Sequence, residues 1–140
     1  MNLPEPEDLT SLVLRTDFSS AAAWEAVRAA IDGSDEDRHA TYVSDHSFNG
    51  VSVQALVDAV AAADDDDKIC YLFLADTITT TDDEHPLLAV DLYDEPGRTF
   101  RVPPDWYAEI SANLAIGNMD FAEFADAADA SGTFRGLDGG

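Results

Sequence analysis

The chain has 140 residues, with 29 Asp plus Glu against seven Lys plus Arg, for a formal net charge of −22. That length suits one domain, and 46% hydrophobic residues can fill a core, which argues against wholesale disorder. The charge argues against nucleic-acid backbones and anionic membrane surfaces as partners, because both need a basic face.

Residues 1–10 are rich in proline and acid and read as a flexible acidic N-terminal segment. A single domain is expected over 11–136, with 137–140 as a tail. Ser11 to Asp17 reads as a strand whose nearly continuous apolar core suits cover on both faces. Ser19 and Ser20 offer N-caps to a helix in which Trp24, Val27 and Ile31 form one stripe, ending near Gly33. Ala40 to Asp45 is a second strand, and Phe48-Asn49-Gly50 is a turn. Ser52 can cap a second helix, with Val53, Leu56, Val57 and Val60 on its buried stripe. The block Asp64 to Asp67 opposes the helix dipole and should lie beyond the helix end as solvated linker.

Ile69 to Ala75 is the strongest strand signal and should be central. Asp76 to Glu84 reads as a Thr- and Asp-rich loop. Leu87 to Leu92 and Arg98 to Val102 read as a hairpin around Asp94-Glu95-Pro96-Gly97. Pro103 and Pro104 start a helix carrying Tyr107, Ile110 and Leu114, with Gly117 as C-cap. A last helix begins near Asp120, capped by Asn118 or Asp120, with Phe121 and Phe124 inward. Thr133-Phe134-Arg135 reads as a short edge strand. The order predicts an α/β domain with a mixed sheet of about five strands. Its first half is a parallel βαβαβ unit, followed by an antiparallel hairpin and two C-terminal helices.

Four blocks together resemble a known family: Leu12 to Phe18, Ala23 to Val27, Glu84 to Leu92 and Gly117 to Ala125. The chain is similar, over about Ser11 to Gly136, to small acidic single-domain proteins of high-GC bacteria known only as a domain of unknown function. The resemblance implies one domain in a cytoplasmic bacterial setting. It brings no activity, cofactor or catalytic residue.

Three predicted strands end at Asp17, Asp45 and Asp76. If the strands are parallel, these carboxylates share the C-terminal edge, where open α/β sheets bind ligands. They are the candidate metal ligands, with Mg²⁺ the fitting ion; turn and helix capping is the plainer use of such residues. His39, His46 and His85 show no metal-ligand spacing, and a surface His beside acids is the plainer reading. There is no Gly-x-Ser-x-Gly elbow and no glycine-rich phosphate loop. The single cysteine, Cys70, is expected inert in the central strand. Trp106, after the prolines, is either a core anchor or an exposed hot spot.

No catalytic set emerges, so no catalytic residue or cofactor is assigned. The expected function is a non-catalytic acidic module, of inhibitor or immunity type as a class analogy, for a basic protein partner. The alternatives are a divalent-metal enzyme using the carboxylate edge, or charge serving solubility or salt tolerance with no specific partner. The start of the chain lacks the pattern of a signal peptide, and no apolar run approaches the ~20 residues of a membrane span, so a cytoplasmic location is expected.

Overall fold

Strand and helix alternate through the first half of the chain as the apolar spacing requires. The computed structural model describes residues 10–32, 40–62, 69–115 and 120–134. In chain order β1 (Ser11–Arg15), α1 (Ala21–Asp32), β2 (Ala40–Val43), α2 (Val53–Ala62) and β3 (Tyr71–Ala75) come first. Then follow α3 (Thr77–Thr81), β4 (Leu87–Asp91), β5 (Thr99–Val102), α4 (Pro104–Ala115) and α5 (Phe121–Asp126). Ser20 Oγ accepts the Ala23 N–H at 3.1 Å and Ser52 Oγ accepts that of Ala55 at 3.1 Å, so serine caps begin α1 and α2.

The five strands form one mixed sheet in the order β2-β1-β3-β4-β5. β1 pairs parallel with β2 and β3, while β3–β4 and β4–β5 are antiparallel. β3 is therefore the middle strand and the β4–β5 hairpin lies at one side, as expected from its apolar run. Because side chains alternate across a strand, the sheet feeds two cores. On one face Val13, Phe73, Ala89 and Phe100 meet Trp24 and Val27 of α1, Tyr107 and Ile110 of α4, and Phe121 and Phe124 of α5. On the other, Leu12, Leu14, Leu72 and Leu74 meet Leu56 and Val60 of α2. With α1 and α2 on opposite faces, β1 and β3 flank the point where the winding reverses.

Four local expectations need correction. Residues 76–84 do not form a loop throughout: α3 occupies Thr77–Thr81, because Asp76 and Thr79 make a reciprocal capping box that outweighs the low helix propensity of threonine. Cys70 is exposed, since β3 starts one residue later. Asp120 stands at the N-cap of α5 without a side-chain hydrogen bond to it. Thr133 makes only an isolated parallel bridge to Arg101 rather than a strand. His39, the Asp64 to Asp67 block, Gly33, Gly117 and Asn118 lie outside the described residues. No helix among the described residues is long and apolar enough to cross a membrane.

Candidate functional site

Asp17, Asp45 and Asp76 follow the C-terminal ends of β1, β2 and β3, three adjacent parallel strands. Each carboxylate there is engaged locally. Asp17 accepts the Thr80 hydroxyl of α3 through one oxygen and the Ser19 N–H at 3.0 Å through the other. The Thr80 hydrogen bond, then the Ser19 N–H, hold its pKa below the ordinary aspartate value. Asp45 caps a 3-10 turn over 46–48, accepting the Ser47 N–H at 3.0 Å, which lowers its pKa.

Asp76 caps α3 and also takes a two-pronged guanidinium contact, with Nη1 and Nη2 of Arg101 each 2.9 Å from its oxygens. Burial by itself would raise this carboxyl's pKa. The Arg101 hydrogen bonds, the Thr79 N–H and the Arg101 charge outweigh it, and the result is a lowered pKa. A cation thus already sits on Asp76, supplied by β5. Among the described residues no group of three or more His, Cys, Asp or Glu stands close enough to hold a metal ion.

Arg15, only 9% exposed, lies at the same sheet edge. Its guanidinium donates to Asp17 O and Ser44 Oγ, each at 3.2 Å, and covers the Phe18 ring at 4.4 Å. His46 stacks on that same ring, with centroids of Phe18 and His46 4.3 Å apart. Arg15, Phe18 and His46 thus pack together beside the C-terminal end of β1.

The structure instead brings together two residues that are far apart in sequence. His85 and Trp106 line one cleft of about 330 Å³, together with Asp83, Glu84, Asp105 and Ala30. The turn preceding His85 is closed by its N–H to Asp82 O at 3.0 Å, and by Glu84 N–H to the Asp82 carboxylate at 2.9 Å. His85 has φ +49°, in the left-handed region that side-chain-bearing residues seldom occupy. Its Nδ1 lies 3.0 Å from Thr79 O. A carbonyl can only accept, so Nδ1 carries the proton and Nε2 is the acceptor in the neutral ring. Trp106 is half-buried, its ring edge-on to Phe134 with centroids 5.5 Å apart. It is therefore neither a full core anchor nor a freely exposed hot spot.

The most exposed aromatic is Tyr93, at 72%, in the β4–β5 turn. Sequence reasoning passed over it. Its position is set by Asp91, which is 2% exposed and accepts the N–H groups of Tyr93 at 2.9 Å and Glu95 at 3.0 Å. An aromatic two residues after a strand-end Asp, inside an acidic turn, was the available signal.

The fold and these sites define a single α/β domain with a mixed five-stranded sheet and acidic, aromatic-bearing turns. A model of the family described as Domain of unknown function (DUF6924) matches residues 10–137, and the chain belongs to that family. No curated protein matches it.

Proposed function

We propose that this domain is a non-catalytic binding module that presents an acidic surface to a basic protein partner. One observation carries the reading: the four arginines among the described residues are all engaged within the chain. Arg28 pairs with Glu25 at 3.1 Å, Arg98 with Glu95 at 2.8 Å and with Asp126, and Arg101 with Asp76 at 2.9 Å. Arg15 is buried against Phe18. These four cations are spent locally, and the excess of carboxylates behind the −22 net charge supplies an outward negative field. Tyr93, presented beside Asp94 and Glu95, supplies the aromatic contact that such a field alone lacks.

The test is capture of partners from native lysate at physiological salt, followed by kinetics on each protein recovered. The association rate should fall steeply with salt, while the dissociation rate holds, because the first reports long-range attraction and the second short-range contacts. Tyr93→Ala should speed dissociation at least tenfold, the equivalent of about 1.4 kcal/mol. Recovery only of basic proteins whose binding collapses with salt and ignores Tyr93→Ala would overturn the reading.

A further inference from the structure

We infer that the cleft between the 82–85 turn and the start of α4 receives an arginine side chain of the basic partner, an assignment that rests on the binding-module reading. The cleft measures about 330 Å³, at the small end of ligand sites, which run from roughly 300 to 1,000 Å³. That suits one long side chain better than a cofactor.

The charge of the walls selects the ligand's sign. Asp83 comes from the turn and Asp105 from the first turn of α4, so carboxylates line the cleft from two separate segments. Neither carboxylate has a hydrogen bond or ion pair among the described residues. Arg15, Arg28, Arg98 and Arg101 are committed elsewhere, so none of them neutralises the cleft from within. An anion such as phosphate is repelled.

The remaining walls select among cations. No group of three or more ligating side chains stands ready for a metal ion among the described residues. Trp106 and the Pro103-Pro104 pair add flat apolar surface. An indole face attracts an organic cation, and a planar guanidinium both stacks on it and offers several N–H groups to carboxylates. In the neutral ring His85 Nε2 is the acceptor, because Nδ1 donates to Thr79 O. Apolar wall, carboxylates from two segments and a ring-nitrogen acceptor together match a guanidinium on an alkyl stem.

The test uses the full chain and N-acetyl-arginine amide as probe, followed by NMR of the two indole N–H groups and the His85 ring. The Trp106 and His85 signals should shift along a saturable curve, while Trp24, buried in the core, serves as the internal control and stays fixed. The neutral citrulline analogue at matched ionic strength should move neither. Asp83→Asn with Asp105→Asn, both at exposed positions, should weaken the probe at least tenfold. Trp106→Phe offers a second variant that keeps a ring in place, and it should weaken the probe less than Trp106→Ala does.

Non-saturating shifts, equal shifts with citrulline, or tighter binding of N-acetyl-lysine amide would overturn the arginine assignment. The two readings fail differently. If a basic partner binds in a Tyr93-dependent way and the double Asn variant binds it equally well, the cleft assignment falls and the module stands. If no basic protein binds saturably, both fall.

Discussion

His85 shows how a single residue can be held against its own preference. At φ +49° its β-carbon crowds the backbone, a cost offset by the Nδ1 hydrogen bond to Thr79 O. His85→Ala keeps the crowding and loses the bond, so it should destabilise by about 1–3 kcal/mol. His85→Gly removes the crowding and should recover part of that loss. Urea midpoints of the two variants check the order; Ala at or above Gly would count against the strain. Asp76 makes a pH prediction at the same scale. Its native pKa is depressed, so folding favours the ionised form. The stability it contributes is fully present above the unfolded value of about 3.9 and is lost as pH falls through the lower native value. Asp76→Asn should therefore lower stability at neutral pH and flatten the loss below about pH 4. An acid limb of the same steepness in wild type and variant would refute this assignment.

Among the elements, α3 depends on one hydroxyl. Thr79 is fully buried; its Oγ1 donates to Pro86 O at 2.7 Å and accepts the Asp76 N–H at 3.2 Å. It thereby closes the capping box and ties α3 to the entry of β4. Thr79→Val keeps the shape and removes both bonds, and should cost about 1–3 kcal/mol by chemical denaturation. Because α3 also carries Thr80, the partner of Asp17, the variant should raise hydrogen exchange over Thr77–Thr81 ahead of the sheet. Uniform exchange across both would show that α3 does not open on its own. In the central strand, Leu72 is fully buried between α2 and the sheet's second face. Leu72→Ala should cost about 2–5 kcal/mol, and an unchanged midpoint would contradict its place in the core.

At the scale of the whole molecule, charge −22 on one small domain repels itself. Salt screens that repulsion over ~8 Å at physiological strength, so raising NaCl should raise Tm. Each kcal/mol relieved corresponds to roughly 3–5 °C for a chain of this length. MgCl₂ at equal ionic strength should act as a screen of the same kind. A saturable Mg²⁺ excess that Asp17→Asn removes would instead support the β1–β2–β3 edge as a cation site. A Tm that falls with NaCl would show that local ion pairs such as Arg98–Asp126 outweigh the net repulsion.

Strand and helix positions were legible in the sequence because burial imposes a period. Ile69 to Ala75 is apolar on both alternating faces, and β3 accordingly lies between two cores; Trp24, Val27 and Ile31 recur at helical spacing and are buried. The serine caps of α1 and α2 were legible for the same local reason, since a cap bonds only three residues ahead. The shared edge of Asp17, Asp45 and Asp76 followed from the parallel order. What each carboxylate binds did not. Arg101 reaches Asp76 across 25 positions, and Thr80 reaches Asp17 across 63. No local pattern encodes such a meeting, because it depends on how β5 and α3 pack against the sheet. The same packing joins His85 to Trp106 and holds Tyr93 outward. Composition and periodicity thus determined the charge, the elements and the central strand. Only the tertiary structure decided which side chains were spent on one another and which were left facing solvent.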